Sequence, residues 1–425
     1  MNALHVKYLL VGGGLASSAA AEAIRQRDDK GSILLVSQEV NRPYHRPSLS
    51  GEYIRKEKSR ADLTTFDERW LNEHHVELRT GRRVAYVDTA RSCVTLDNGQ
   101  EVSYDQLLLA TGATPKPLKL PGANLPNVFY LRTIDDADRL HNAIDKAKRE
   151  GRRHPRGVGR GCVAIVGGGL LGVELAASLV QVGLHVDLIA GHAHPWHKIA
   201  GETTGAFIAH HLEQHGVAVH AGSRAARLEG DGRVQRVVLA SGESVECDLA
   251  IGAVGVSANR EVLRNTPIVA ETAILVDERC RTSVGNVFAA GDCAAVFDPL
   301  FGKHRVVDHW ENAQITGSIA GTNMTGGDDR YTAVSHYVSQ VFDLQVSVWG
   351  EKRQVHHRLI RGDAPRFVEF GIVSDGRVAQ VIKVGAGGPE SPELLMQCVA
   401  QRLQVNGKEE LLKDPATDLS TLLES

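Results

Sequence analysis

Lys7-Tyr-Leu-Leu-Val-Gly-Gly-Gly-Leu-Ala-Ser-Ser-Ala-Ala-Ala21 runs from an apolar stretch, through three glycines, into small helix-compatible residues. That order predicts a buried β-strand, a tight turn and the start of a helix. Backbone N–H groups at such a helix start form an anion site suited to a pyrophosphate. The spacing is Gly12-x-Gly14-x-x-Ser17, with serine in the third small position. Serine is still small enough for the helix to lie close on the strand. A glycine-rich turn with no ligand satisfies the same pattern, so the stretch needs support from elsewhere in the chain.

The support is a second copy. Cys162–Val166 reads as a strand, followed by Gly167-Gly168-Gly169-Leu170-Leu171-Gly172-Val173-Glu174, an intact Gly167-x-Gly169-x-x-Gly172. A helix to Val182 and a strand His185–Ile189 complete a βαβ unit, the context the motif requires. Two dinucleotide folds in one chain imply a fixed cofactor in one and an exchangeable one in the other. The end of the second strand in each unit is where ribose hydroxyls are recognised. In the first unit that strand is Ser32–Val36 and its end is Ser37-Gln38-Glu39; Glu39 is the candidate, with Gln38 beside it. In the second unit Ala190 occupies the place, followed by Gly191-His192-Ala193-His194. No acid there repels a 2′-phosphate, and His192 or His194 accepts one when protonated, so NADH and NADPH both stay open.

Other segments fit the same plan. Asn41-Arg-Pro-Tyr-His-Arg-Pro-Ser-Leu-Ser-Gly51 is a rigid loop whose Arg42 and Arg46 suit phosphate by fork-like hydrogen bonding. Phe66–His74 reads as a helix, and Gly81–Leu96 with Val102–Ser103 as strands of a small sheet. A buried strand within Leu107–Pro115 ends at Thr111-Gly112, where backbone can approach a ligand closely. Gly122–Leu131 crosses toward a new domain, and Asp135–Glu150 is a polar helix. The turn Ile251–Asn259, with Gly255 in it, is suited to passing over a nucleotide. Asp292, at a strand end in Gly291-Asp292, suits a polyol such as a flavin ribitol, or a helix N-cap. His309–Met324 reads as a helix of small residues that begins with an aromatic pair. From about Asp328 the strands Val346–Trp349, Phe367–Ile372 and Val378–Val384 and the helices Ser391–Arg402 and Asp418–Leu423 make a small α+β domain.

The chain has 425 residues, room for about two or three domains. A net charge of −3 implies no nucleic-acid or membrane preference. No apolar run is long enough to span a bilayer, and the N-terminus does not read as a signal peptide. Six scattered cysteines with no CxxC pair suggest a reducing cytoplasm and no disulfide framework. The basic loop Gly151–Gly161 reads as solvated. His194 and His197 are three apart, and His211 and His215 one helical turn apart. Metal binding needs three or more convergent, oriented ligands. With no nearby cysteine or carboxylate cluster these read as solvated helix-face histidines, and no metal is expected.

The order of parts (fingerprint, Arg-Pro loop, Ala-Thr-Gly, second fingerprint, Gly-Asp, small C-terminal domain) resembles the FAD-dependent pyridine-nucleotide oxidoreductases of the glutathione-reductase fold, over essentially the whole chain. Arg42-Pro-Tyr-His-Arg-Pro-Ser-Leu-Ser50 resembles the loop of oxygenase-coupled ferredoxin reductases, rubredoxin reductases and apoptosis-inducing factor. Ala320-Gly-Thr-Asn-Met-Thr-Gly326 and Leu35-Val-Ser37 resemble the apoptosis-inducing-factor branch. The resemblance implies an α/β fold of two nested Rossmann-like domains plus a small C-terminal α+β domain. Residues 1–124 with 256–327 would bind FAD, 125–255 NAD(P), and 328–425 would form the third domain. It implies Gly12, Gly14, Leu15 and Ala16 at the FAD pyrophosphate and Gln38 or Glu39 at its ribose. Arg46 would lie along the cofactor, Val84 at the adenine, and Thr111, Gly112 and Arg132 against FAD. Asp292 would meet the ribitol, and His309 and Trp310 the isoalloxazine. Gly168, Gly169, Leu170 and Leu171 would hold the nicotinamide nucleotide, with Glu174 near hydride transfer.

Two departures stand out. The family loop usually ends Leu-Ser-Lys, and that lysine pairs with the glutamate matching Glu174; here Gly51 replaces it. Glu174 is therefore expected to be unpaired, with a raised pKa. The family's Phe-Trp-Ser-Asp near the flavin edge is here Tyr337-Val338-Ser339-Gln340, which alters the expected ferredoxin-docking surface. Residues 37–60 contain no cysteine, against dithiol chemistry. The expected activity is hydride transfer from NADH or NADPH to FAD, with electrons passed to an external acceptor, foremost a small iron–sulfur protein. An apoptosis-inducing-factor-like redox sensor and an oxidase or quinone reductase are the alternatives, as monomer or homodimer.

Overall fold

A computed structural model describes residues 4–152, 161–352, 355–388 and 390–424, so the basic loop read at 151–161 lies almost wholly outside the described residues. The chain divides into two compact units. The first takes the residues up to Pro47, Arg60–Thr114 and Val256–Ala333. β1 (Leu4–Val11) alternates at its start and is solidly buried from Tyr8 on, because it lies mid-sheet with both faces covered. α1 (Leu15–Arg27) follows the glycine turn, and β2 (Ile33–Val36) pairs parallel with β1. On the other side of β1 lies β3 (Glu101–Leu109), also parallel. The sheet runs Val76–Arg79, β2, β1, β3, Cys93–Leu96, Val84–Asp88, with Val287–Ala289 paired to the far end of β3.

One expectation changes here. The segments read as a separate small sheet (Gly81–Leu96, Val102–Ser103) and as a later strand (from Leu107) belong to the main sheet. β3 runs unbroken through 101–109, paired antiparallel with Cys93–Thr95 at its start and parallel with Val287–Ala289 at its end. The polar Asp105-Gln106 pair that looked like a break sits between those two partners.

The helix Trp310–Met324 crosses α1 in the first unit. Contact is close because the facing residues are small. A Cβ on Gly317 would sit 2.2 Å from the Ala16 carbonyl oxygen, and one on Gly321 2.4 Å from that of Ala20.

The second unit takes Ser48–Ser59, Pro115–Gly255 and Val334 onward, so the 125–255 fold and most of 328–425 pack as one. Its helix Ile134–Glu150 starts at a capping box, with Thr133 and Asp136 satisfying each other's backbone N–H. β4 (Cys162–Val166), α2 (Leu170–Gln181), β5 (His185–Ala190) and α3 (Glu202–Gln214) follow. The parallel sheet runs Val217–Ala221, β5, β4, Leu249–Gly252, Val128–Phe129. The unit also holds a small antiparallel sheet (Ala225–Glu229, Arg236–Leu239, Ser244–Glu246) and a five-stranded antiparallel one: His336–Val341, Leu344–Gly350, Val378–Val384, Arg366–Ile372, His357–Asp363. The first and last of these were not legible as strands, because they are its edges and carry polar residues on their outward positions. Among the described residues no helix is long and apolar enough to cross a membrane.

Candidate dinucleotide sites

The turn after β1 divides labour among its glycines. Gly12 takes φ +123°, and a Cβ there would lie 2.0 Å from the Ala110 carbonyl oxygen. Gly14 is the N-cap of α1, where a Cβ would meet nothing within 4 Å. No side chain caps α1 and no acid lies in its first turn, so its N–H groups, from Leu15 and Ala16 onward, face an open approach. The turn after β4 repeats this. Gly167 takes φ +129° against the Ala253 carbonyl, and Gly169 is an open N-cap of α2 with no side-chain cap and no first-turn acid. Gly168 backs onto Ala190, and a Cβ on Gly172 would lie 1.9 Å from the Gly167 carbonyl oxygen. Tight turn, open cradle and close helix packing are the three demands of a pyrophosphate site. Both helix starts fit a phosphate-bearing dinucleotide. In the first turn Ser17 takes the packing role; its hydroxyl is buried with no hydrogen-bond partner.

In the first unit Glu39 is half-buried and already engaged. Arg46 Nη2 donates to it at 2.8 Å and Tyr44 Oη at 2.7 Å. A carboxylate has further lone pairs for a ribose hydroxyl, and the exposed Gln38 stands beside it. Val84 is buried at the start of the Val84–Asp88 strand. Gly112 takes φ +68°, and Asn259 locks the turn: Thr111 Oγ1 donates to its carbonyl at 2.6 Å, and its Nδ2 donates back to the Thr111 carbonyl at 2.9 Å. Asn259 closes the Ile251–Asn259 stretch, but its sequence gave no sign of this partner. Asp292 lies half-buried in the turn Gly291–Cys293, whose Gly291 N–H donates to Thr316 Oγ1. His309 is the N-cap of the Trp310–Met324 helix, and withdrawal from water lowers its pKa against three nearby carboxylates. Trp310 is 41 % exposed and meets His45 edge-on at 5.6 Å.

In the second unit Ala190 is buried at the end of β5. The two histidines after it part ways. His192 is exposed and stacks on His197 at 4.5 Å. His194 is buried over Gly205 of α3, with Nδ1 2.8 Å from the Pro195 carbonyl, so it is a core residue and leaves the phosphate expectation to His192. Arg224, exposed in the turn after Val217–Ala221, lies beside Gly191. Gly255 takes φ +99° and is exposed, its carbonyl accepting from the Lys116 N–H at 2.9 Å. Arg132 is half-buried, its backbone N–H held by Asp136 at 3.1 Å.

Glu174, on α2, corrects a second expectation. Among the described residues no lysine or arginine pairs with it, as Gly51 implied, yet it is not unpaired. Ser50 Oγ donates to one oxygen at 2.9 Å and Ser339 Oγ to the other at 2.8 Å. Withdrawal from water pushes the carboxyl above the usual range, against the pull of the two hydroxyls. Both partners are the serines that match the family pattern within the two stretches that otherwise depart from it. All six cysteines are buried free thiols, and burial pushes Cys162 up to about 11 and Cys247 to about 12.

Known proteins share this layout. The ferredoxin–NAD(+) reductase component of the anthranilate 1,2-dioxygenase system of Burkholderia cepacia is 29% identical over 98% of this chain and 99% of its own. The ferredoxin reductase subunit of 5,5'-dehydrodivanillate O-demethylase from a Sphingobium species is 31% identical over 87% of each. Among solved structures, the ferredoxin reductase for the CYP199A2 system of Rhodopseudomonas palustris superposes with a TM-score of 0.82 at 27% identity, covering 89% of this chain and 91% of that one. Residues 6–317, which carry both glycine turns, match the pyridine nucleotide-disulphide oxidoreductases. This chain belongs to that family of oxidoreductases.

Proposed function

We propose that this protein is an FAD-dependent NAD(P)H oxidoreductase that passes electrons to a small iron–sulfur protein of the ferredoxin or rubredoxin type. The observation that carries the reading is the pair of uncapped, glycine-lined helix starts, one in each of two parallel α/β folds. Two such starts suit two dinucleotides, and the ferredoxin reductases to which the chain is similar point to the acceptor. On this reading 1–124 with 256–327 form the FAD-binding domain, 125–255 the nicotinamide-nucleotide domain and 328–425 the third domain.

When bound, a flavin takes a hydride from a nicotinamide and gives up electrons one at a time, which suits an iron–sulfur acceptor. The N–H groups from Gly14 to Ala16 hold the FAD pyrophosphate, while Gln38 and Glu39 receive the ribose. Arg46, Val84, Thr111, Gly112 and Arg132 line the cofactor. Asp292 accepts from the ribitol, and His309 with Trp310 borders the ring. Gly168 to Leu171 hold the nicotinamide nucleotide, and Gly255 lets backbone pass close to it. Glu174, whose carboxyl is pushed above its usual range by withdrawal from water, stands near the place of hydride transfer.

Both NADH and NADPH serve as donors. Ala190 leaves no acid to oppose a 2′-phosphate, and exposed His192 and Arg224 offer it cationic and hydrogen-bonding groups. Stopped-flow reduction tests the whole reading. Both nucleotides should bleach the bound flavin, and added ferredoxin or rubredoxin should raise turnover. Arg224→Ala should lower kcat/KM for NADPH about tenfold and leave NADH within about twofold. A purified chain without flavin refutes the reading. Slow reduction with a long-lived charge-transfer band, unaffected by either iron–sulfur protein, favours a redox sensor instead.

A further inference from the structure

Helix α3 carries His211 and ends at its C-cap His215, four residues on, so both imidazoles lie at its C-terminal end. The hairpin between His336–Val341 and Leu344–Gly350 brings Asp343 to that end, within the same compact unit. Asp343 Oδ1 lies 3.2 Å from His211 Nε2 and 3.5 Å from His215 Nε2. Among the described residues, this is the one group of three histidine, cysteine or acidic side chains whose ligand atoms all fall within 4.8 Å of one another. The nucleotide sites use none of the three.

An ordinary hydrogen bond suits His211, whose Nε2 lies 3.2 Å from Asp343 Oδ1, but explains the His215 side poorly. His215 Nδ1 lies 2.9 Å from the His211 carbonyl, an acceptor, so Nδ1 carries the proton of the neutral ring. Nε2 then presents a lone pair to a carboxylate oxygen 3.5 Å away. Two acceptors facing each other call for a cation between them, and 3.5 Å is long for a shared proton. A metal ion fits better. With metal–ligand bonds of about 2.0–2.1 Å, a tetrahedron has edges of about 3.3–3.4 Å. The two measured separations, 3.2 and 3.5 Å, bracket that length.

The site is also braced. An Nδ1–H bonded to a backbone carbonyl is the usual support of a ligating imidazole. Phe342, at φ +56° in the hairpin turn, lies flat on the His215 ring at 4.3 Å and fixes its plane. The His211 ring is mostly covered, whereas Asp343 is 80% exposed, which leaves room for water to complete the shell. His211 Nε2 also lies 3.2 Å from the Val341 carbonyl, a contact it gives up on taking an ion.

We propose that His211, His215 and Asp343 form a site for one divalent transition-metal ion of the zinc class, completed by water. Two imidazoles and one carboxylate favour such ions over calcium or magnesium. The bound ion joins α3 to the hairpin of the antiparallel sheet.

Calorimetric titration with zinc chloride of the full flavin-loaded chain, freed of metal by chelator and dialysis, tests this. One zinc ion should bind per chain with a Kd of order micromolar. His215→Ala and Asp343→Asn should each weaken binding by about tenfold or more. His197→Ala, in the separate histidine stack, should leave it unchanged. Zinc should also raise the melting temperature of the wild type and not that of His215→Ala. No saturable binding up to about 1 mM zinc, or equal affinity in wild type and both variants, overturns the proposal.

Discussion

Glu174 shows how much one residue's setting depends on its partners. The glycine at position 51 removes a cation, and the hydroxyls of Ser50 and Ser339 take its place. Hydroxyls stabilise a carboxylate less than an ammonium does, so desolvation wins and the pKa rises. The consequence for stability has a definite sign. A carboxyl whose folded pKa is raised favours folding most below the unfolded carboxyl range, and loses that contribution as pH climbs through its folded value. Glu174→Gln keeps the shape of the neutral form. It should match the wild type in urea denaturation near pH 4 and exceed it near pH 8. A stability difference that stays constant between those pH values would contradict the assignment. Gly51 and Glu174 were legible from the sequence as a departure from the family loop. The serines were not legible as partners, because they lie 124 and 165 residues from Glu174.

At the scale of elements, the first unit depends on two helices that nearly touch. In an exposed helix, replacing glycine by alanine gains about 1 kcal/mol of helix propensity. At Gly317 the new methyl would lie 2.2 Å from the Ala16 carbonyl oxygen, with backbone rather than a flexible side chain in its way. Overpacking of that kind costs about 1–3 kcal/mol, so the balance is a loss. Gly317→Ala should therefore lower the melting temperature and weaken flavin retention, since α1 begins at the open Gly14; a rise in melting temperature would show that the helices can separate freely. The composition of this helix pair was readable: Ala16, Ala20, Gly317 and Gly321 recur at four-residue spacing. The unbroken β3 was less so. Its polar middle looks like a loop in one dimension, and only its partners on the far side, Cys93–Thr95 and Val287–Ala289, make it a single strand.

Across the molecule, a buried carboxylate of the antiparallel sheet ties that sheet to the start of α3 within the second unit. Glu369, fully buried in the antiparallel sheet, accepts from the Gly201 N–H at 2.8 Å and Thr204 Oγ1 at 2.6 Å, and pairs with Arg358. It thus caps the start of α3, whose own N-cap Gly201 offers no side chain. Glu369→Ala would leave Arg358 without that partner and should cost about 3–5 kcal/mol in urea unfolding, with faster amide exchange at Gly201 and Thr204. Unchanged exchange at those amides would remove the capping role. By itself the sequence determined the two glycine turns, their strands and helices, and so the dinucleotide folds, because each is written in contiguous residues whose geometry is local. The tertiary structure alone decided what meets Glu174, what caps α3 and what faces His211 and His215. Those partners are brought together by chain reversals through two different sheets, and nothing in the spacing of residues along one dimension records which side chains will share a surface in three.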